Sequence, residues 1–529
     1  MLEKLFQNKA VLATTAGICV FLAFPKFDLL PFVFLFPLFF NLLTLECKSP
    51  RESFLYGFLT SFFVMLGGFY WVVYVIHEFG YMSWTVSILL YLGFCGFGAL
   101  NFPIFSALAT WWQRRLKITE RGSFEIGLWY SIFLPLLFTF TEYLIPKLFP
   151  WYVGHSLYQS RWANQIVEIT GSEFLTFCIY SAGSVAGLFI FRKRFIHPPR
   201  LLTALVPTTA WIICIGFSFY ALNKPPEPTR PFRVAMIQAN IGSLERVDAQ
   251  RGLHGKLREV VTRHIRLSKE TLAAKPDLIL WPEAALPFDL GGQSFFAQMV
   301  RDLPREWQTT IIAGAFAASE DDPLRDYNTA YLLEPETSQP ALIPKYYKNI
   351  LLAFGEYMPL GETFPALYRW FPQVSNFMLG KTQRPFVLRD GTRLGISICY
   401  EAIVPSFMRK VAQGNVQALI NLTNDSWFGP TAEPYLHGAL TVFRAIEFRL
   451  PLFRVTNTGT SFAVSARGEI SEMTPVYREA TLVVDGHLPL TPPKTFYLRF
   501  GGWFPWFYLS SLVILLVIFF RKSYAPIPI

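Results

Sequence analysis

Long apolar runs constrain this chain more than any other feature. Residues 10–25, 28–45, 54–76, 85–111, 126–145, 173–191, 201–221 and 503–520 carry almost no charge. A helix needs about 20 apolar residues to cross a bilayer, with roughly 17 to 25 tolerated, so the eight runs read as eight spans. The charged side chains are segregated to match: residues 1–222 hold 25 of them and residues 223–502 hold 57. With 52% hydrophobic residues and 53 phenylalanines, a wholly soluble protein is excluded. The chain therefore divides into a membrane domain of seven helices (1–222), a polar domain (223–502), and an eighth helix with a short tail (503–529).

The net charge of +10 is spread beside the apolar runs, where Lys and Arg set orientation, and forms no stripe for nucleic acid. With the N-terminus inside, inner segments carry Lys4, Lys9, Lys48, Arg51, Arg114, Arg115, Lys117, Arg121, Arg192, Lys193, Arg194, Arg200, Arg521 and Lys522. The short outer loops carry only Lys26, Lys147 and Arg161. Both termini are thus expected inside and the polar domain outside. Reading the first run as a cleaved signal peptide fits less well, because no small-residue cleavage motif follows and an even helix count would be lost. FPKFDLLP (24–31) suits a tight turn at a membrane face. Trp129/Tyr130, Trp151/Tyr152 and Trp503/Trp506 fit interfacial belts, and the GFCGFG run (93–98) either permits close helix contact or reflects tolerance of Gly in membrane helices.

In the polar domain the pattern changes to short β-rich runs at 233–240, 277–283, 309–317, 327–334, 394–401, 417–425, 451–458, 461–466 and 480–485. Helical patterns fit 250–273, 292–303, 402–413 and 431–448. Alternating strands and helices imply a layered α/β enzyme-sized domain, with the extra strands pointing to a mixed sheet or a sandwich of two sheets. Five of the six cysteines lie in the apolar half, so a disulfide within the polar domain is impossible.

The sixth, Cys399, ends the apolar strand LGISI and is followed at once by Tyr400, Glu401 and a helical segment. That strand-to-helix geometry exposes a nucleophile and aims backbone N–H groups at one point, although an unpaired Cys also serves as a small buried hydrophobe. Histidine bases have little local support: His254 and His264 lie in a charged helix whose solvated face accounts for them, and His437 and His487 have no recognisable partner. Glu283 closes the strand DLILWPE, where a carboxylate is costly to bury unless it is paired or shifted upward, and an upward shift suits a general base. Lys348, in YYKNILLAFGE, supplies either a surface charge or an ammonium that lowers a thiol pKa and stabilises an oxyanion.

Taken together, WPE (281–283), Lys348 to Glu356 as K-x-x-L-x-x-F-G-E, CYE (399–401), NDSWFG (424–429) and FRAIEFR…TNTG (443–459) resemble the carbon–nitrogen hydrolase (nitrilase) superfamily. The resemblance is closer still to its membrane-bound branch, the apolipoprotein N-acyltransferases, and covers the whole chain. It implies a multi-pass α-helical membrane domain carrying an extracytoplasmic, nitrilase-like αββα sandwich. It also implies a Glu283–Lys348–Cys399 triad, with Glu356, Tyr400 and Glu401 in support and Asn424, Trp427 and Phe428 lining the substrate or, for the aromatics, filling core. Ala353 before FGE, Gly242 after QANI and Ser426 in NDSWFG depart from the family pattern and bear on loop shape rather than reaction class.

The implied reaction is ping-pong acyl transfer from a membrane phospholipid, through a cysteine thioester, to the α-amine of a diacylated apolipoprotein, in the inner membrane of a bacterium. A monomer without cofactor or metal is expected. Residues 357–380, rich in aromatics and Pro, suit a membrane-facing arm, a lid or a packed loop. The NLT sequon at 421–423 lies in a buried strand and is discounted. Two rivals remain: a membrane-tethered amidase or nitrilase delivering its acyl group to water, and a transporter or lipid-binding scaffold with a decayed catalytic domain.

Overall fold

The computed structural model describes residues 7–242, 254–319, 321–322, 325–336, 340, 343–371 and 374–523. Lys4, the stretch 250–253 and residues 372–373 of the aromatic arm lie outside the described residues, as do the side chains of His254 and Lys522. The chain separates into two units. One comprises the chain to Val73, Ser83–Asn223 and the chain from Arg499; the other comprises Tyr74–Met82 and Lys224–Leu498.

The first unit is helical. Among the described residues five helices are long and apolar enough to cross a membrane: Trp84–Arg115, Ser123–Leu144, Glu173–Ile190, Leu201–Asn223 and Phe496–Arg521. Lys9–Leu22 and Pro31–Glu46 are apolar but shorter. The run 54–76, expected as one span, is broken: Pro50–Gly68 and Val72–Glu78 meet at 62°. Only the part before Phe69 packs as a continuous helix, and Tyr74–Met82 groups with the second unit. Helix starts follow local chemistry. The Ser49 hydroxyl accepts from Glu52 N (3.2 Å) with Pro50 next to it, and Asn8 accepts from Ala10 N (3.0 Å).

Polar pairs join these helices where apolar packing alone gives no specificity. Ser53 and Ser106 donate to each other's carbonyls (2.9 and 2.8 Å), and Tyr180 donates to Asn41, which donates to Ser184 (2.8 and 2.7 Å). Phe36, Phe102, Phe105, Phe138 and Tyr180 form one buried aromatic cluster around them. The expected close contact at GFCGFG is uneven, since a methyl at Gly93 would meet nothing within 4 Å whereas one at Gly98 would strike Met65.

The second unit is built on two sheets. The strands in chain order are β1 (Thr229–Gln238), β2 (Leu278–Asp289), β3 (Thr310–Ala318), β4 (Asp326–Leu333), β5 (Lys345–Tyr347), β6 (Phe386–Val387), β7 (Arg393–Ile398), β8 (Ala418–Thr423), β9 (Leu452–Thr456), β10 (Phe462–Val464) and β11 (Ala480–Pro489). One sheet runs β11-β1-β2-β3-β4-β5 and the other β10-β9-β8-β7-β6. In each, three central strands are parallel and the flanking ones antiparallel. The parallel strands are apolar on both faces, as burial on both sides requires. The sheets face each other through β1, β2, β8 and β9, while helix His254–Thr271 covers the first sheet and Pro405–Ala412 and Glu433–Phe448 the second. This is an αββα sandwich.

His264 corrects the sequence reading. It is buried, not solvated, stacks near Trp281 (5.1 Å) and bonds Val260 O through Nδ1 (2.9 Å). It falls on the helix stripe of Val260, Val261, Leu267 and Ser268, and burial pushes its imidazole down to about 4.

The backbone is irregular at both sequence-expected site residues, and Glu283 does not close its strand, since β2 runs on past it to Asp289. The β2–β3 register shifts between Trp281 and Leu286, a bulge that contains Glu283, and Ala284 beyond it has φ 50°. Gly314 on β3 lets this bulge close: a Cβ there would lie 2.1 Å from Pro282 O and 2.7 Å from Glu283 Cα. Gly314→Ala should therefore destabilise the unit by about 1–3 kcal/mol, the usual cost of overpacking. The apparent melting temperature of the detergent-solubilised protein reports it, and an unchanged midpoint contradicts the close approach.

Candidate active site

Glu283 sits at the bulge of β2, 6% exposed. A buried carboxylate must be paired, and it is. Oε1 accepts from Lys348 Nζ (2.9 Å) and Asn328 Nδ2 (2.7 Å), and Oε2 accepts from the backbone N–H of Asn424 (2.8 Å). Lys348 follows β5 directly and is 1% exposed. Its ammonium reaches a second carboxylate, Glu356, at 2.8 Å. Glu356 is in turn fixed by Asn328 Nδ2 (3.0 Å) and Leu352 N (2.8 Å). Burial alone would lower the lysine pKa, but Glu283, Glu356 and Cys399 outweigh it and hold the ammonium well above its ordinary value.

Cys399 follows the last residue of β7 and opens the 3₁₀ turn Cys399–Ile403 with φ 53°. A non-glycine residue in that region is uncommon and costs of the order of 1–3 kcal/mol, a strain found where a side chain must be aimed. The thiol is 7% exposed. Burial first, then the Glu283 carboxylate, push its pKa well up, and the Lys348 ammonium opposes them. Such a shift favours the thiol form, and a thiol acts as a nucleophile only once a base removes its proton.

Glu401 clamps two segments together. Oε2 accepts from Ile398 N (2.7 Å) and the Tyr346 hydroxyl (2.7 Å), and Oε1 accepts from Asn349 N and from Ile350 N (3.1 Å). The turn that carries Cys399 is thereby tied to the loop that carries Lys348. Burial pushes this carboxyl up to about 7. Tyr400 is half-buried, and burial raises its phenol to about 12. Asn424 caps the turn Asp425–Phe428, accepting from Ser426 N (3.2 Å). Trp427 is half-buried against Phe79 (ring centroids 4.6 Å apart), and Phe428 is buried.

The structure thus gathers Glu283, Lys348, Glu356 and Cys399 into one electrostatic unit and adds residues the motifs do not name. Asn328 is one, and a polar residue inside the apolar run YNTAYLLE was its only sequence signal. Tyr346 is another. A third group lies under the Cys399 turn: Asn421 Nδ2 donates to Cys399 O (3.4 Å), Arg454 Nη1 to Asn421 Oδ1 (2.8 Å), and Arg454 Nη2 to Asp425 Oδ2 (2.9 Å). His437, without a recognisable partner in the sequence, donates to Asp425 Oδ1 (3.0 Å) and lies 3.6 Å from Glu433. His487 is exposed on β11. Asp425, Glu433 and His437 bring three potential metal-ligand atoms within 4.8 Å of one another. The buried Arg454 guanidinium already pairs with that aspartate, and burial together with Asp425 holds Glu433 well above the usual carboxylate range.

Residues 233–491 match the family Carbon-nitrogen hydrolase, and residues 16–185 match the Apolipoprotein N-acyltransferase N-terminal domain. An apolipoprotein N-acyltransferase of Bdellovibrio bacteriovorus is 33% identical, the alignment covering 97% of this chain and 94% of that protein. One of Geobacter metallireducens is 32% identical over 97% of this chain and 95% of that protein. Among solved structures, an amidase of the nitrilase superfamily from Nesterenkonia aligns with a TM-score of 0.35 and 19% identity, over 52% of this chain and 96% of that one.

The balance of charges at Cys399 sets its reactivity. Alkylation by iodoacetamide should be slow at pH 7.5 and climb as the pH passes 9, because the thiol is held above its ordinary value. Lys348→Met removes the opposing ammonium and should slow alkylation at pH 8 by at least tenfold. Equal rates for the two proteins would show that the lysine charge does not reach the sulfur.

Proposed function

The chain belongs to the apolipoprotein N-acyltransferase family, and from that premise we propose how its residues carry out acyl transfer from a membrane phospholipid to the α-amine of a diacylglyceryl-modified apolipoprotein. The observation that carries the reading is a buried lysine held between two carboxylates beside a buried, protonated cysteine. An acyl-enzyme route needs a base, an oxyanion partner and a nucleophile kept from bulk water, and these groups supply each.

In the first half-reaction Glu283 takes the Cys399 proton and the sulfur attacks the ester carbonyl of the phospholipid. The carbonyl oxygen becomes an oxyanion held by the Lys348 ammonium and the Tyr400 backbone N–H. Collapse breaks the C–O bond, Glu283 returns its proton to the departing glycerol oxygen, and a lysophospholipid leaves. In the second, the neutral α-amine of the acceptor attacks the thioester carbonyl while Glu283 takes a proton from nitrogen. Collapse breaks the C–S bond, and the proton returns to the Cys399 sulfur. Glu356 and Glu401 act through Lys348 and through the turn that carries Cys399. Asn424, Trp427 and Phe428 border the substrates, and the segment 357–380 forms an arm facing the lipid.

The same reading places the protein in a bacterial inner membrane as a monomer with eight spans, both termini cytoplasmic and the catalytic unit periplasmic. Support comes from fourteen Lys and Arg residues in inner segments against three in short outer loops. It comes too, among the described residues, from five helices of spanning length, one bent pair and two shorter apolar helices. Confinement of both lipid-anchored substrates to one bilayer restricts their search and keeps the thioester near its acceptor.

The purified protein in nanodiscs, given labelled phospholipid, should gain one acyl mass, mapped to Cys399 by intact mass and peptide analysis. Addition of a diacylated lipopeptide should move that mass to the peptide amine, and Cys399→Ala should abolish both steps. Release of the acyl chain mainly to water in the presence of the lipopeptide would assign a hydrolase instead.

A further inference from the structure

Among the described residues, Asn328 is the one polar side chain that touches both candidate carboxylates and has no place in the mechanism above. It lies on β4, 3% exposed, opposite Phe316 of β3. Its Nδ2 donates to Glu283 Oε1 (2.7 Å) and to Glu356 Oε1 (3.0 Å), the same two oxygens that receive the Lys348 ammonium at 2.9 and 2.8 Å. Its backbone carbonyl accepts from Lys348 N at 2.9 Å. The orientation of the amide is fixed by chemistry, since ionised carboxylates only accept and the nitrogen must face them. The consequence is that Oδ1 is buried and, among the described residues, has no hydrogen-bond partner. An unpaired buried acceptor is costly, so the side chain is held by its two donor contacts and not by satisfying its own oxygen.

Two carboxylates that share one ammonium repel each other. Lys348 already gives two of its three N–H groups to these oxygens and has one left. A second, neutral donor between the same oxygens relieves the repulsion without adding a charge. Resting on the assignment of Glu283, Lys348 and Cys399 above, we infer that Asn328 is a positioning residue, bridging Glu283 and Glu356 so that the Glu283 carboxylate is held in place to take the thiol proton and the third Lys348 N–H is left for the oxyanion.

Asn328→Asp tests this in the full-length protein in nanodiscs, with the rate of Cys399 acylation by labelled phospholipid followed from pH 5.5 to 8.5. The charged and titratable groups facing position 328 are Glu283 on β2, Lys348 and Glu356 on the loop after β5, and Cys399 after β7. Protonated, the new side chain offers one O–H donor to the carboxylates; ionised, it adds a third negative charge. Its rate relative to the unsubstituted protein should therefore fall at least tenfold as the pH rises across that range. A ratio of one at every pH, or the same loss at every pH as a packing defect gives, overturns the inference. Asn328→Ser and Asn328→Ala, close in volume, form a second pair. The serine hydroxyl keeps one donor and should acylate at least threefold faster than the alanine variant, and equal rates overturn it. An unsubstituted protein that forms no adduct would instead sink the acyltransferase mechanism itself.

Discussion

A single ammonium, Lys348, buried to 1% exposure, is the constraint from which the rest of the site follows. Taking such a charge out of water costs several kcal/mol unless partners of good geometry replace the lost hydration. Two carboxylates do so here, and each brings its own requirements. Glu283 must sit at a bulge where a glycine on the next strand allows the backbones to close. Glu356 must be carried back on a loop and pinned by Leu352 N. Burial, joined by the excess negative charge of the two glutamates, then holds the Cys399 thiol well above its ordinary range. Stability and chemistry are one arrangement: the groups that make the buried lysine tolerable are those to which the proposed mechanism gives the proton and the oxyanion.

Much of the second unit was legible in the sequence because its strands are apolar runs bounded by turn residues, and all nine strand runs have counterparts in the sheets. The two strands that escaped notice, β5 and β6, are three and two residues long, too short to show a period of two. That omission matters, because β5 delivers Lys348. The left-handed conformation of Cys399 was also invisible, since nothing in LGISICYE marks a positive φ. His264 was misread because its neighbours in sequence are charged, although its spacing from Val260, Val261 and Leu267 places it on the buried stripe. Partners of site residues were the least legible part. Asn328, Tyr346 and Arg454 reach partners 28 to 55 residues away in the chain, and bonds over such separations leave no local pattern.

In the helical unit, composition identified where the helices lie but not how the third run is divided. The bend between Pro50–Gly68 and Val72–Glu78 follows no proline, and a pair of glycines, Gly67 and Gly68, stands at the break. Beyond it, Phe79 packs on Trp427 of the NDSWFG loop, whose Asn424 N–H holds Glu283. A segment that hydropathy assigns to a span thus borders the loop that positions a candidate catalytic base.

In the proposed mechanism Glu356 acts through Lys348 and not independently. It is tested most directly by measuring Cys399 acylation rates for Lys348→Met, Glu356→Gln and the double variant beside the unsubstituted protein. The double variant should be no slower than Lys348→Met by more than about twofold, because the carboxylate has nothing left to hold. Losses that multiply would contradict the account, showing two groups that contribute separately.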